Sequence, residues 1–472
     1  KQKRKPVTLF ELSIVSLIIQ QIGKLKLIYY LTKVLANIFQ RVYYQFDHTG
    51  LENVPVDKPV VFAPNHVNAF MDPILIGMTT RQQVRFFARG DVFKGAIAKW
   101  ALNELNISPV YRIQEGYSEV RKNDKTFEEC RQLLSNDKTI LMFPEGICIQ
   151  ERRLRPLKKG LARIVFQTAA TNDFKKDILV VPIGVNYSSP KNFRSKVVVH
   201  FGKPISTIGF KEAFYSDNVK TVNEFTKILE DKMKPQLVII NKTENENLVA
   251  AIEEIYMDRW IKAKSANIKD LKEQYQASKE MAEMVNQLEE SHPELTTVLR
   301  TKTVSYIKKL KKYELRDHLL EDTSINRMTF LSFLKECLII YVGVPLYGLA
   351  LLVNYPPYFL AKRYSDNNIK NVEFYASVYS NMAMIMWILY YSFQLLLTGF
   401  IFKRWIILFC YAFLVPLLGY FAIRFYPLKQ KIMGRWRLLR LVRKEKEVIS
   451  DLINERRIIL EEIQKAKKTA AI

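Results

Sequence analysis

A histidine and an aspartate six residues apart follow a short apolar run and have the chemistry of a base and its partner. The run covers residues 60–63, and His66 and Asp72 come after it. A neutral imidazole takes a proton from a nearby hydroxyl, while a carboxylate on its other ring nitrogen fixes the tautomer. The pair therefore predicts base-assisted attack by an alcohol. The alternative is a helix N-cap beside a packed imidazole.

A Phe-Pro-Glu-Gly turn at residues 143–146 follows a second apolar run. Gly146 permits the positive φ of a tight turn, and Glu145 is predicted to hold an acceptor hydroxyl. The next segment is strongly basic, with side chains that bind phosphate. Its members are Arg152, Arg153, Arg155, Lys158, Lys159 and Arg163. The alternative is a solvated basic face that touches anionic lipid.

Short β-rich runs alternate with helical stretches between residues 47 and 215, which predicts an α/β fold with a substantially parallel sheet. Arg112 ends one of the runs and is predicted to point into the same pocket as His66. The predicted strands are 59–63, 84–88, 108–112, 139–143, 178–186 and 196–201. The predicted helices are 73–80, 92–105, 117–135 and 158–170.

The net charge of this 472-residue chain is +25, which is typical of proteins that bind nucleic acid or an anionic membrane. No nucleic-acid motif is present, and the clearest basic cluster adjoins apolar segments, so the membrane is favoured. The four cysteines are widely spaced and form no metal-ligand pattern.

Three long segments near the C-terminus carry no charged residue and predict an integral membrane protein. They are residues 337–361, 374–402 and 405–423. Pro356 and Pro357 are expected to break the first segment, which would then be re-entrant. The tail at 424–446 is basic, so we expect it on the cytoplasmic side. A cytoplasmic active site then requires an even number of crossings.

Composition divides the chain into five predicted regions. The first is amphipathic, and its helical period over residues 27–46 suits a helix lying on a bilayer or one packed on the next domain. The regions are amphipathic or interfacial helices at 1–46, the α/β domain at 47–215, a charged helical region at 216–328, membrane segments at 329–425 and a basic helical tail at 426–472.

The order of the motifs resembles the four sequence blocks of the phospholipid/glycerol acyltransferase superfamily. The blocks are the His66–Asp72 motif, the strand ending in Arg112, the turn at 143–146 and the Val-Pro-Ile strand at 180–185. Five residues separate the histidine and the aspartate here, where most members have four. That spacing looks most like the fungal-type glycerol-3-phosphate/dihydroxyacetone-phosphate acyltransferases.

The resemblance implies a glycerol-acyltransferase-like α/β sheet flanked by helices, with an added helical region and C-terminal membrane helices. It also implies a membrane-bound O-acyltransferase of phospholipid synthesis, acting on the 1-hydroxyl of glycerol-3-phosphate, with dihydroxyacetone phosphate as a further acceptor. The acyl donor would be acyl-CoA or acyl-carrier protein. No metal or cofactor is expected, and the remaining partner is a bilayer with anionic headgroups.

The same resemblance assigns roles to individual residues. His66 and Asp72 are the catalytic pair, and the substrate-binding residues are Arg112, Glu145, Gly146, Arg152, Arg153, Lys158 and Arg89. Two alternatives stay open. One is an acyltransferase acting on 1-acylglycerol-3-phosphate (lysophosphatidate) or another lysophospholipid, and the other is a non-catalytic lipid-binding scaffold.

Overall fold

The computed structural model describes residues 27–111, 123–321 and 330–470. The chain divides into two compact units. The first comprises Lys1–Ile149 and Leu154–Gln236, and the second comprises Gln150–Arg153 and Leu237–Ile472. Arg152 and Arg153 of the basic segment therefore belong to the second unit, although the chain before Gln150 and directly after Arg153 belongs to the first.

The first unit is an α/β layer structure, as the alternating pattern predicts. Its described helices are α1 (Leu27–Tyr43), α2 (Met71–Thr79), α3 (Ala96–Glu104), α4 (Asn123–Ser135), α5 (Gly160–Thr171), α6 (Lys211–Ser216) and α7 (Asn218–Met233). Its described strands are β1 (Gln45–Thr49), β2 (Val60–Pro64), β3 (Val84–Arg89), β4 (Ile107–Val110), β5 (Thr139–Leu141), β6 (Leu179–Tyr187), β7 (Lys196–Phe201) and β8 (Ile205–Ser206).

The described strands form one sheet in the order β1-β7-β6-β2-β5-β3-β4, with β8 paired to β6. β2 lies parallel to both β5 and β6 at the centre. The motifs that follow β2 and β5 therefore meet at the carboxyl edge of the sheet, where α/β proteins bind their ligands.

The helices cover the two faces of the sheet differently. β2–α2–β3 and β3–α3–β4 both advance in the same direction across the sheet, so right-handed crossovers place α2 and α3 on one face. The return from β4 through α4 to β5, and from β5 through α5 to β6, covers the other face. There Val61 and Ala63 of β2 share a closed apolar core with residues of α4, α5 and α7, including Phe166 and Phe225.

One predicted helix ends earlier than the sequence pattern indicates. The period predicts a helix across 27–46, whereas α1 ends at Tyr43 and β1 begins at Gln45. β1 pairs in parallel with β7. In addition, the hydroxyl of Tyr44 donates a hydrogen bond to the carbonyl of Pro190 at 2.6 Å. These tertiary contacts override the local helical preference.

The other predicted elements of this unit overlap observed ones, with shifted ends. α3 begins at Ala96 because residues 90–93 form a separate 3₁₀ turn. α4 is described from Asn123, so the start predicted for it at 117 lies outside the described residues. β1 and β8 were not predicted, because each is short and borders a helix or a turn.

The second unit is helical. Its described α-helices are α8 (Glu246–Ala263), α9 (Leu271–Ser291), α10 (Pro293–Lys312), α11 (Phe330–Asn368), α12 (Val372–Phe402), α13 (Trp405–Lys444) and α14 (Lys446–Thr469). α14 packs back on the helices that precede the apolar segment. Arg456 makes a buried, two-pronged ion pair with Asp317 at 2.9 Å, and Tyr306 donates to the same carboxylate at 2.8 Å.

Helices α11, α12 and α13 are each long and apolar enough to cross a membrane. The predicted break at Pro356 and Pro357 is wrong, because α11 is one helix of 39 residues that contains both. At 1.5 Å per residue it is about 58 Å long, against a hydrocarbon core of ~30 Å. An apolar surrounding offers no partner to a broken backbone, which favours keeping the helix through its prolines.

Polar and aromatic contacts fix the relative direction of α11 and α13. Near one end of both helices, Trp436 donates to the buried Glu336 at 3.0 Å. Farther along, Asn354 donates to the carbonyl of Val415 at 3.1 Å. The two helices are therefore antiparallel, and the start of α11 lies beside the end of α13. The chain enters and leaves the apolar bundle at the same end.

Candidate active site

The imidazole and the carboxylate predicted from sequence are in contact. His66 Nδ1 lies 3.0 Å from Asp72 Oδ2, and the Asp72 side chain is fully buried. The same oxygen accepts the backbone N–H groups of Val67 and Asn68, both at 2.8 Å. Because Asp72 Oδ2 accepts hydrogen bonds from its other neighbours, a neutral His66 ring would carry its proton on Nδ1 and its lone pair on Nε2.

A tyrosine that the motifs do not include completes the carboxylate's surroundings. Tyr187, the last residue of β6, donates its hydroxyl to Asp72 Oδ1 at 2.7 Å. Burial, followed by the nearby Asp72 charge, raises the pKa of Tyr187 well above its ordinary value of 10.0. The phenol therefore stays protonated and remains a hydrogen-bond donor across the physiological range.

The imidazole ring is held flat against Phe143. The two ring centroids are 3.7 Å apart with an interplanar angle of 15°. The His66 side chain is 14% exposed, and no residue in the described ranges hydrogen-bonds its Nε2. One ring nitrogen is thus tied to a carboxylate while the other remains open to a substrate.

Glu145 of the Phe-Pro-Glu-Gly turn is hydrogen-bonded to the backbone of His66. Glu145 Oε1 accepts the backbone N–H of His66 at 2.9 Å, and Oε2 accepts that of Arg155 at 3.2 Å. Burial raises the pKa of Glu145 above its ordinary value of 4.5, although both backbone hydrogen bonds act in the opposite direction. Gly146 has φ +68, so the positive φ expected for this turn is observed.

The additional residue between His66 and Asp72 is accommodated in the connection to α2. Ala69 has φ +24, a conformation uncommon outside glycine. Its backbone N–H lies 3.2 Å from Cys148 Sγ, and the backbone N–H of Ile149 donates to the carbonyl of His66 at 3.1 Å. The connection that holds the additional residue therefore contacts Cys148 and Ile149, which follow the Phe-Pro-Glu-Gly turn.

The predicted phosphate-binding residues occupy different places. The Lys158 side chain passes next to Gly146, where an added Cβ would meet its Cγ at 3.3 Å. Arg89, at the end of β3, forms an exposed ion pair with Asp91 at 2.6 Å. Their phosphate-binding roles stay predictions.

Two other predicted arginines belong to the second unit and are ion-paired there. Arg152 contacts Glu253 at 2.7 Å, and Arg153 pairs with Glu151. Arg112 lies outside the described residues, so its predicted position is not described. The roles of these three arginines in phosphate binding also stay predictions.

Sequence reasoning missed Tyr187, Phe143 as a stacking partner, and Asn68. Asn68 Nδ2 donates to the Tyr44 hydroxyl at 3.1 Å, inside the turn. The one available signal for Tyr187 was its position directly after the predicted strand 178–186. Its contact with Asp72 spans 115 positions and depends on the order of the strands.

Residues 45–186 match the family model described as Acyltransferase. Residues 45–186 therefore form an acyltransferase domain similar to those of the phospholipid/glycerol acyltransferase superfamily. A chloroplastic 1-acyl-sn-glycerol-3-phosphate acyltransferase of Brassica napus is 28% identical over 141 residues, which are 30% of this chain and 39% of that protein. Glycerol-3-phosphate O-acyltransferase 1 of Saccharomyces cerevisiae is 24% identical over 254 residues, which are 50% of this chain and 31% of that protein.

These matches span less than two fifths of the relatives' own length. Among solved structures, the 1-acyl-sn-glycerophosphate acyltransferase PlsC of Thermotoga maritima aligns with 44% of this chain and 78% of its own. The sequence identity is 20% and the TM-score is 0.31.

Proposed function

We propose that the protein transfers a fatty acyl group from an acyl thioester to the 1-hydroxyl of glycerol-3-phosphate. The observation that carries the proposal is the buried Asp72 carboxylate on His66 Nδ1, which leaves Nε2 open. The yeast glycerol-3-phosphate O-acyltransferase, which matches half of the chain, supports this acceptor. The donor is acyl-CoA or acyl-carrier protein, and dihydroxyacetone phosphate is a further acceptor.

In the proposed mechanism, His66 Nε2 removes the proton of the acceptor hydroxyl as its oxygen attacks the thioester carbonyl carbon. Asp72 holds the ring and stabilises the imidazolium that forms. The tetrahedral intermediate then collapses, the carbon–sulfur bond breaks, and the leaving thiolate receives the proton from His66. The products are an ester and a free thiol, and the steps need neither a covalent enzyme intermediate nor a metal.

The acceptor's phosphate is assigned to basic side chains beside the Phe-Pro-Glu-Gly turn. Lys158 is the described candidate next to Gly146, and Arg112 is a second candidate on sequence grounds. Arg152, Arg153 and Arg89 contribute in this proposal only if they exchange their present carboxylate partners for phosphate.

A second candidate acceptor is lysophosphatidate. The plant relatives carry that specificity in their names, and one of them is 28% identical to this chain over 141 residues. The same base and carboxylate would serve either acceptor, because both present a hydroxyl close to a phosphate. The size of the acceptor pocket distinguishes the two.

We also propose that the active site faces the cytoplasm. The chain enters and leaves the apolar bundle at the same end, and α14 packs back on α10. This arrangement favours an even number of complete crossings, although three helices are long enough. In sealed vesicles, cysteines placed at His292 and Lys467 should react with an impermeant maleimide from the same side. Reaction from opposite sides would contradict the proposal.

Purified, detergent-solubilised protein tests the activity. Labelled palmitoyl-CoA would be offered with glycerol-3-phosphate, dihydroxyacetone phosphate and lysophosphatidate in parallel, and acyl-carrier protein thioester would be the second donor. We expect product from glycerol-3-phosphate, lost in His66→Ala. The matched control is His292→Ala, which removes an exposed histidine of the second unit that pairs with Glu294.

Product from lysophosphatidate alone would move the assignment to the second acceptor. Absence of turnover with every acceptor and both donors, from protein with a normal thermal transition, would favour the lipid-binding scaffold.

A further inference from the structure

The helical unit includes residues 150–153, which belong to the loop that joins the Phe-Pro-Glu-Gly turn to α5. Within them, Arg152 forms a two-pronged ion pair with Glu253 of α8, with N–O distances of 2.7 and 3.2 Å. The two side chains are 19% and 14% exposed. Two parallel N–H···O bonds fix a guanidinium in orientation as well as in position. Arg152 is therefore anchored on α8.

Further contacts within the helical unit hold the same residue. The backbone N–H of Ile240 donates to the carbonyl of Arg152 at 2.7 Å, and the N–H of Arg152 donates to Glu246 Oε1 at 3.3 Å. Ser278 of α9 donates its hydroxyl to Glu253 Oε1, which orients the carboxylate. The side chain and the backbone of one loop residue are therefore held by α8, α9 and the segment before them.

On either side of Arg152, the loop is hydrogen-bonded to the active site within the first unit. The N–H of Ile149 donates to the carbonyl of His66 at 3.1 Å, and the N–H of Arg155 donates to Glu145 Oε2 at 3.2 Å. Ile149 and Arg155 are each three positions from Arg152. Three residues span at most about 11 Å, so a displacement of Arg152 reaches both hydrogen bonds through the chain.

We propose that Glu253 is a positioning residue for acyl transfer, because its ion pair with Arg152 holds the loop in the shape that binds the acceptor. The inference rests on the proposed function and gives the charged helical region a part in that reaction. Arg152 keeps Glu253 as its partner while substrate is bound. The acceptor's phosphate is left to other basic side chains, including Lys158, which follows the loop and lies beside Gly146.

Three variants of the full-length protein in detergent test the proposal. Glu253→Gln removes the charge and keeps the size of the side chain, whereas Glu253→Asp keeps the charge. The matched control is Glu280→Gln. Glu280 of α9 is also 14% exposed, and its partners in the described ranges belong to the helical unit. They are Lys264, Trp260 and Gln276. A thermal transition checks the folding of each variant.

The first readout needs no activity, because Cys148 of the loop reports on the loop's opening. Its Sγ lies 3.2 Å from the N–H of Ala69, and its alkylation by N-ethylmaleimide would be followed by mass spectrometry without substrate. We expect alkylation to be about tenfold faster in Glu253→Gln than in the wild type, since the lost charge-assisted hydrogen bonds favour the open loop by about that factor. Glu280→Gln should react at the wild-type rate, and Glu253→Asp at an intermediate one.

Two results of this measurement would overturn the proposal. One is an equal alkylation rate in the wild type and Glu253→Gln. The other is an equal acceleration in Glu253→Gln and Glu280→Gln, because it would indicate a general loosening of the helical unit. Either result from protein that acylates glycerol-3-phosphate would leave the proposed function standing.

The second readout is acyl transfer to glycerol-3-phosphate. We expect Glu253→Gln to raise the KM for the acceptor about tenfold, with a smaller change in kcat, because the loop leads to the phosphate-binding side chain. Glu253→Asp should recover most of this loss. An unchanged KM would overturn the proposal. A lower KM would overturn it as well, because it would show that Glu253 competes with phosphate for Arg152. A wild type that acylates no acceptor would overturn the proposed function and, with it, the part of Glu253 in the reaction, whatever the alkylation rates show about the loop.

Discussion

The His66–Asp72 turn and the Phe143–Gly146 turn each follow a central parallel strand and hold a buried carboxylate, yet the two carboxylates have different donors. Asp72 accepts from an imidazole, a phenol and two backbone N–H groups. Glu145 accepts from two backbone N–H groups, one of them that of His66. The first carboxylate acts on the reacting ring, whereas the second holds the backbone that positions it.

This difference predicts that replacing each carboxylate by its amide will have different effects on the reaction rate and on the stability of the protein. In the first turn the change alters the electronic state and tautomer of the imidazole, which lowers the rate of reaction. In the second turn the change alters the fit of the two loops, which lowers stability. The comparison can therefore be tested by measuring rate and stability on the same variants.

Asp72→Asn should have the largest effect, a loss of kcat of about 10²–10⁴-fold, because the neutral amide neither fixes the tautomer nor stabilises the imidazolium. Single-turnover acyl transfer to glycerol-3-phosphate measures the loss, and a thermal transition checks folding. If Asp72→Asn kept kcat within a few-fold of the wild type, the proposed difference in role between Asp72 and Glu145 would be wrong.

Glu145→Gln should mainly reduce stability, by about 1–3 kcal/mol, because the amide NH₂ group would face a backbone N–H donor. We expect a lower midpoint of thermal unfolding in detergent, with a smaller change in kcat than in Asp72→Asn. If Glu145→Gln instead kept its stability and lost as much kcat as Asp72→Asn, Glu145 would belong to the chemistry.

The stability difference between the wild type and Glu145→Gln should also depend on pH. The folded-state pKa of Glu145 is raised above 4.5, so between pH 4.5 and that raised pKa the folded state holds a proton that the unfolded state has released. This contribution to stability is complete below pH 4.5 and is lost as the pH rises through the folded pKa. The wild type's stability advantage over Glu145→Gln should therefore shrink from acidic to neutral pH. An advantage that grew with pH would contradict the assignment.

Tyr187→Phe should have the smallest effect, a decrease in kcat of about 3–10-fold, since it removes one of four donors to Asp72, a hydrogen bond to a charged group. As a positioning residue, Tyr187 should affect kcat more than KM and should shift the acidic limb of the pH–rate profile. A change confined to thermal stability would show that the tyrosine is structural.

The sequence predicted most of the sheet and both turns because those features are local. The apolar runs marked β2 and β5, and the Gly146 turn followed from one residue's conformational freedom. Contacts that join distant positions were not predictable. Tyr187 reaches Asp72 across 115 positions, and Glu145 reaches His66 across 79. Each depends on which strands become neighbours, and spacing along the chain carries no such information.

Two predictions failed for a related reason. The local sequence pattern predicted that the first helix extends to residue 46, whereas the residues from Gln45 onward form a strand that pairs with β7. Local propensity also predicted a break at Pro356 and Pro357, whereas α11 is continuous through both prolines. We attribute the continuity to packing among apolar helices. Arg152 likewise belongs to the second unit because of a contact between distant positions. It pairs with Glu253, which lies 101 positions later in the chain.

The most direct test of the account is a double-mutant cycle on kcat with His66→Ala, Asp72→Asn and the combination of the two, measured as acyl transfer to glycerol-3-phosphate. Asp72 acts through the His66 ring, so once the ring is absent its replacement should cost nothing more. We predict that the double variant is as active as His66→Ala alone. Losses that multiply would show that Asp72 contributes independently of His66 and would contradict the account.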